Sequence, residues 1–506
     1  MFSDTCKKIE NNLKISNERL FKDVGLLSGH PWENNLQAEI SNYYSCLYHL
    51  SKSETPTKIL EIGTAFGLST STLLKSMKNI QLFITIDLGV IGDQYGFSQN
   101  NIDFTRTKIH SWCCKNKIAL EKVRFYRANT QPEGLGDNSD CGSYVTRWHR
   151  YPDLLRLLLS NDFDVIFVDG KHTGNGLYND LVTFWGFLKE GGIIICDDLH
   201  EENIYKSVFP WAGDTLRSFK KFEKSHLFEI EDSFIWEYPR VPPANYTGLR
   251  PFGMFRKKQH IVQNPLDSNF NVFDYKDAID INRARLDHLA SLGLDFINKD
   301  VIEVGAGIGK HTTFFEKLGC NVISTDIRYD NVQEILRRYP YRNGKVTVAD
   351  LSIPGDHKKF GKFDIVYCYG VLYHLENPSL CLEELSDNCN GLFLLETCVN
   401  NVDNGEINIV DENANEYNQS YHGKGCRPGR DWTFTELKKY YPYVYSTRAQ
   451  PIHPDFPLEF PVINPIAPNA RAIFVASTFP IYSSALLTEL PNTYIRQDKI
   501  LTGDNL

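Results

Sequence analysis

Three carboxylates and one imidazole in the first half of the chain have the types and spacing for metal-assisted proton removal. Asp169 closes the apolar run DVIFVDG, Asp197 and Asp198 close GGIIICDD, and His172 follows shortly after Asp169. If those runs are neighbouring parallel strands, all three carboxylates emerge at one carboxyl edge, which is where an open α/β sheet binds its ligands. Hard oxygen donors converging there can hold one octahedral Mg2+ and leave positions for water and substrate hydroxyls. Such an ion would acidify a bound alcohol, and His172 would take its proton. In the plainer reading, Asp169 and Asp197 cap strand ends and His172 bonds a loop. Lys171, one position earlier, leaves the identity of the base open.

Each half also carries a glycine turn at the end of an apolar run: EIGTAFG, with Glu61, Gly63 and Gly67, and EVGAGIG, with Glu303, Gly305, Gly307 and Gly309. Glycine there lets the backbone approach a ligand, and the helix that follows offers free N–H groups. One acid ends the next apolar run in each half, Asp87 in FITIDLG and Asp326 in VISTDIR, placed to bind the two hydroxyls of a ribose. A dinucleotide fingerprint needs G-x-G-x-x-G, and neither turn has it. The acids before the first glycines, Glu61 and Glu303, suit an amino-acid ammonium better than a pyrophosphate. Together these features point to two sites for S-adenosyl-L-methionine.

These residues need a scaffold that delivers strand ends to one edge, and the apolar pattern supplies it. Short runs ending in Gly or Asp alternate with helix-length segments from Lys58 onward (KILEIG, LFITID, VRFYRA, DVIFVDG, GGIIICDD), and the series restarts with DVIEVGAG, CNVISTD, VTVAD, FDIVYCYG, GLFLLET and ARAIFVAS. That alternation predicts parallel sheets with crossover helices. HLFEIED and SFIWEYP lie close together and predict an antiparallel pair. The boundaries follow: a helical cap over 1–56, a first domain over 57–241, a linker over 242–276, a second domain over 277–480 with a lid insertion over 412–460, and a tail over 481–506.

With 506 residues and 42% of them hydrophobic, the chain can bury two ordinary cores. Its formal charge of −9 argues against a general nucleic-acid binder. No run approaches the ~18 apolar residues of a membrane span, and the polar start lacks a signal-peptide core, so a cytoplasmic protein is expected. The 12 cysteines are scattered without metal-ligand spacing and read as buried thiols in a reducing compartment.

On the glycine turns and strand order, both halves resemble class I S-adenosylmethionine-dependent methyltransferases, over about 58–240 and 280–478. The resemblance implies an α/β fold of two Rossmann-like domains, each a mostly parallel seven-stranded sheet flanked by helices. The first half is similar to metal-dependent O-methyltransferases, which share an Asp after strand four and an acid pair after strand five. Within that group its histidine resembles the macrolide-sugar enzymes, whereas the catechol and caffeoyl-CoA enzymes carry Lys there. The second half resembles metal-independent members through FDIVYCYGVLYHLENP, ETCVNN and RAIFVAS. By that resemblance Asp350, in VTVADLS, contacts the adenine amino group, and His374 lies beside the methyl-transfer position as a general base or a pocket wall. GLFLLETCVN ends in a single acid, Glu396, so no metal is expected in that half.

The lid insertion offers Tyr421, His422, Arg427, Arg430 and Trp432 to an anionic or sugar acceptor, since Arg grips phosphate and aromatic rings stack on sugars. In the first half Thr130–Pro152, with Arg147, Trp148, His149 and Arg150, could close over a glycan. The leading expectation is a bifunctional O-methyltransferase acting on sugar hydroxyls of a glycan, glycolipid or glycosylated natural product. The alternatives are one catalytic domain beside a binding or dimerisation domain, and a tRNA methyltransferase, since GVLYH and ETCV resemble wobble-uridine enzymes. Homo-oligomerisation stays open.

Overall fold

The computed structural model describes residues 2–10, 37–64, 67–87, 101–131, 147–170, 173–200, 214–225, 228–237, 251–259, 268–402, 404–462 and 470–498. The chain divides into two compact units, one built mainly from residues up to His260 and the other mainly from Ile261 onward.

The first unit is a seven-stranded sheet of β1 (Lys58–Ile62), β2 (Leu82–Asp87), β3 (Val123–Arg127), β4 (Phe163–Val168), β5 (Leu188–Cys196), β6 (Ile230–Trp236) and β7 (Phe252–Lys257), in the order β3-β2-β1-β4-β5-β7-β6. The runs read as parallel strands form β1 to β5, pairing in parallel. The later residues of β4 and the end of β5 are apolar and buried on both faces, as a sheet covered on both sides requires. Outside the sheet, the helix Gln37–Ser53 buries Tyr43, Cys46, Leu47 and Leu50 at i, i+3, i+4 and i+7 against the core.

The edge differs from the expected hairpin. HLFEIED and SFIWEYP contribute to one strand, β6, whose antiparallel partner is β7. That partner, FGMFRK, lies within the stretch read as linker, and it inserts antiparallel between β5 and β6. Its buried Phe252, Met254 and Phe255 were hidden by the Pro-rich and basic surroundings.

The second unit has eight strands, β8 (Asp300–Val304), β9 (Asn321–Asp326), β10 (Val346–Val348), β11 (Phe363–Tyr369), β12 (Cys389–Val399), β15 (Tyr443–Thr447), β17 (Ala470–Ser477) and β18 (Leu486–Leu487), ordered β10-β9-β8-β11-β12-β17-β15-β18. Apart from the two-residue edge strand β18, the order repeats that of the first sheet. A separate ribbon pairs β13 (Ile407–Asp411) with β14 (Lys424–Pro428), and β16 (Ala449–Gln450) pairs with β19 (Ile495–Arg496). The stretch read as a C-terminal tail is therefore partly woven in: Leu486 joins the sheet and Tyr494 is buried in the core. The stretch read as lid contains β15, a sheet strand, while the loop at the tip of the β13–β14 ribbon, β14, the helix Arg430–Leu437 and β16 stand outside that sheet.

In both sheets the order reverses beside the first strand, between β1 and β4 and between β8 and β11. The carboxyl ends of those strands open the crevice where such sheets take ligands.

Candidate functional site

The two glycine turns share a hydrogen-bonded skeleton although their sequences differ. Asp87 accepts from the Thr64 amide at 2.6 Å, and Asp326 accepts from the Gly307 amide at 2.8 Å. Glu61 accepts from the Thr70 hydroxyl at 2.6 Å, and Glu303 accepts from Thr312 at 2.5 Å and Ser324 at 2.9 Å. Both glutamates are buried, and burial pushes each carboxyl up to about 7. They tie turn, helix and second strand together, a use that the expectation of an ammonium ligand did not include.

The first glycine of each turn is required by the chain itself. Gly63 has φ +94°, and a Cβ there would sit 2.0 Å from the Asp169 carbonyl oxygen. Gly305 has φ +64°, and its Cβ would sit 2.2 Å from Val371 Cγ2. In each case the segment leaving the central strand crosses over the turn. Gly67 starts the helix Leu68–Ser76, Gly307 faces Phe273, and Gly309 faces Arg342.

In the second unit the turn opens into a cavity of about 730 Å³. Glu303, Gly305, Gly307, Asp326 and Asp350 line it, as do His374, Tyr421 and His422. Asp326 takes further bonds from the Arg328 amide at 2.9 Å and Asn331 Nδ2 at 3.1 Å, and burial pushes its carboxyl up to about 6. Three of a carboxylate's roughly four acceptor sites are thus used from within the chain, which leaves one for a ligand hydroxyl. Asp350 accepts from Ser352 and pairs with His422 Nε2 at 3.0 Å. Burial would raise the Asp350 carboxyl, but those bonds outweigh it and hold it below the usual range. Volume and donor set both suit a nucleoside carrying an amino-acid tail.

The loop between β13 and β14 forms one wall. Arg328 Nη2 donates to the carbonyls of Ala414 at 3.0 Å and Gln419 at 3.2 Å, and its guanidinium lies 5.2 Å from the Tyr421 ring centroid. The same loop begins with Glu412, whose Oε2 meets His374 Nδ1 at 2.5 Å. Glu412 also accepts from the Ser420 amide at 2.8 Å and pairs with Arg427 at 3.3 Å. Burial raises its carboxyl, yet the bond to His374 and these partners hold it below the usual range. An ionised Glu412 can only accept, so Nδ1 carries the proton and Nε2 keeps its lone pair. Burial lowers the His374 pKa further than Glu412 restores it.

Beyond His374 the cavity is walled by Asn282, Arg285, Tyr373, His453, Asp455 and Arg471. Glu396 bridges Arg285 at 2.8 Å and Arg471 at 3.1 Å. Sequence reasoning missed Arg285, Arg328, Arg471 and the role of Glu412, because each meets its partner across a long stretch of chain.

Other expected residues fall elsewhere. Arg430 is fully buried, donating to the Pro491 carbonyl and Tyr494 hydroxyl at 2.9 Å each, with Phe460 under its guanidinium at 3.7 Å. Trp432 packs against the core, and Arg427 reaches the site through Glu412. In the first unit Trp148 is buried against Phe184 and Phe187, as core rather than a sugar platform.

His172 and Lys171 lie outside the described residues. Among the described residues no three His, Cys, Asp or Glu side chains stand together so as to hold a metal ion, so Asp169, Asp197 and Asp198 do not meet as the expected triad. Burial, and then the charges of Asp197 and Asp169, push the Tyr43 phenol well above its ordinary value, and its hydroxyl bonds Asp197. Asp198 has a left-handed backbone, with φ +51°. Among the described residues every cysteine is a free thiol, all buried except Cys114, and no helix is long and apolar enough to cross a membrane.

Two sheets of one order, each with a glycine turn and a strand-end acid at its switch point, define a nucleotide-type α/β enzyme fold. Family models described as methyltransferase domains match residues 60–199 and 279–434. The chain belongs to the methyltransferases and carries two such domains in tandem. A curated relative, the ubiquinone biosynthesis O-methyltransferase of Shewanella halifaxensis, is 24% identical over 116 residues, which are 22% of this chain and 49% of the relative. The chain thus spans about half the length of that relative. Similar solved structures include the N-terminal domain of EvdMO1 in the presence of SAH and D-fucose, at 19% identity, 40% of this chain, 84% of that one and a TM-score of 0.31. An O-methyltransferase from Bacillus cereus in complex with SAH matches at 17% identity, over 51% of this chain and 100% of that one, with a TM-score of 0.31.

Proposed function

We propose that the chain methylates hydroxyl groups of a sugar-bearing acceptor, with an active site in each unit. The observation that carries this is the second-unit cavity, which joins Gly305, Asp326 and Asp350 at one end to His374 at the other. When bound, S-adenosylmethionine supplies an electrophilic methyl group. Asp326 accepts from its ribose, Asp350 accepts from its adenine amino group, and the Glu303 turn shapes the pocket for its amino-acid end. His374 Nε2 takes the proton of an acceptor hydroxyl, a transfer worth roughly 10²- to 10⁴-fold in rate. The acceptor end, lined by Asn282, Tyr373, His453 and Asp455, offers the hydrogen-bonding groups that a polyhydroxyl compound needs.

The matching skeleton of the first unit supports a second cofactor site around Asp87. A magnesium ion there is supported by donor type and strand-end position alone. The described side chains do not fit it.

Incubating the protein and its Asp87→Ala and Asp326→Ala variants with methyl-labelled S-adenosylmethionine and a glycan extract tests this reading. Mass spectrometry should place label on sugar oxygens and lose part of it in each variant. Label on nitrogen, or an unchanged product set in either variant, would sink it.

A further inference from the structure

Glu412 stands on neither sheet. It begins the loop at the tip of the β13–β14 ribbon, 3% exposed, and its two oxygens divide their work. Oε2 accepts hydrogen bonds from His374 Nδ1 and the Ser420 amide, while Oε1 faces Arg427. The backbone is cut to fit this arrangement: a Cβ on Gly425 of β14 would sit 2.5 Å from the Tyr373 carbonyl oxygen and 2.6 Å from Glu412 Oε1. The far end of the same loop places His422 on Asp350 and rests its Gln419 carbonyl on Arg328. One segment therefore touches the adenine end of the cavity and the imidazole at the transfer end.

We propose that Glu412 is the positioning residue of this active site, holding His374 as the Nδ1–H tautomer with Nε2 free to accept a proton from the acceptor. The inference rests on the reading of His374 as the proton acceptor. Without an ionised partner, the neutral ring would divide between two tautomers and rotate, and only one arrangement leaves a base toward the cavity. The charges facing His374 are those of Glu412, Arg427 and Arg471, and the Tyr373 ring lies 4.1 Å from its own. Of these only Glu412 favours the protonated imidazole. It thus sets basicity as well as orientation.

The experiment compares the full chain with its Glu412→Gln, Glu412→Asp, Gly425→Ala and His374→Asn variants, loaded with S-adenosylhomocysteine. Long-range 1H–15N spectra of histidine-labelled protein read the tautomer, with His374 assigned by its loss in His374→Asn. The parent should show His374 protonated at Nδ1. Glu412→Gln should shift it toward Nε2–H and move its titration to lower pH, Gly425→Ala should do likewise, and Glu412→Asp should restore the parent tautomer in part. Methyl transfer from labelled S-adenosylmethionine to the glycan-extract products that are lost in Asp326→Ala should fall on the order of 10²-fold in Glu412→Gln. Its acidic limb should move to lower pH, while calorimetric affinity for S-adenosylhomocysteine stays within a few fold. An unchanged tautomer and pH profile in Glu412→Gln would overturn the role of Glu412. Full transfer to those same products by His374→Asn would instead overturn the reading of His374 on which it rests.

Discussion

Asp326 accepts a hydrogen bond from the Gly307 amide at 2.8 Å, so the second strand of the sheet holds the glycine turn in the shape that faces the cavity. Asp87 makes the corresponding bond to Thr64 in the first unit. Replacing either acid by Ala removes a turn anchor and, on the proposed reading, a ligand contact. Calorimetry with S-adenosylhomocysteine should therefore give two sites in the parent protein and one in Asp87→Ala or Asp326→Ala. One site in the parent would leave one unit without a cofactor role.

The buried Glu303 makes stability depend on pH in an unusual direction. Its carboxyl titrates at about 7 in the folded chain because burial disfavours the charge, against an ordinary value of 4.5. The folded state then binds more protons than the unfolded state between those values. Its contribution is fully present below about 4.5 and is lost as pH rises through about 7, by up to roughly 3 kcal/mol. Glu303→Gln should thus melt higher than the parent at pH 8 and nearly with it at pH 4.5. Equal melting differences at both values would refute this.

Gly63 and Gly305 respond differently to the same substitution. Ala at 305 meets the side chain of Val371, which can be trimmed, whereas Ala at 63 meets the Asp169 backbone carbonyl, which cannot. Gly305→Ala should cost about 1–3 kcal/mol, and Val371→Ala should recover part of it. Gly63→Ala should cost more and gain nothing from changes at its neighbours' side chains. Scanning calorimetry of the single and double variants reads both.

Arg430 and His422, near each other in sequence, should separate into stability and binding. Arg430→Ala strips a buried cation from Phe460, Tyr494 and the Pro491 carbonyl, so it should lower the melting temperature. His422→Ala loses a half-exposed bond to Asp350, worth roughly 1 kcal/mol, and should weaken S-adenosylhomocysteine about fivefold while leaving the melting temperature of the unliganded protein in place. The reverse pattern would place Arg430 in the site.

For the first unit, titration with magnesium should produce no heat that depends on Asp197. Tyr43 already bonds that carboxylate, and Asp198 leaves the chain in a left-handed turn. Heat that disappears in Asp197→Ala would restore the three-carboxylate site.

What the sequence determined by itself is local. An apolar run four to six residues long, closed by Gly or Asp and followed by a helix-length segment, needs only its own side chains to become a buried parallel strand. Hence β1 to β5 and β8 to β12 were legible, as was the apolar run of β17, which pairs antiparallel, together with Asp87, Asp326 and Asp350 at strand ends. Edge strands were less so: β7 reads as linker because its four buried residues sit among prolines and basic groups, and β18 is too short to carry a period. The tertiary structure alone decided how distant residues met. Arg430 had the composition of a ligand contact, and only the packing of Phe460 and Tyr494 around it makes it a core cation. His374 was visible as a histidine after a strand, but the carboxylate that sets its proton arrives from a ribbon 38 positions later. Hydrogen bonds of that kind depend on how chain segments cross, and no local period in the sequence encodes the crossing.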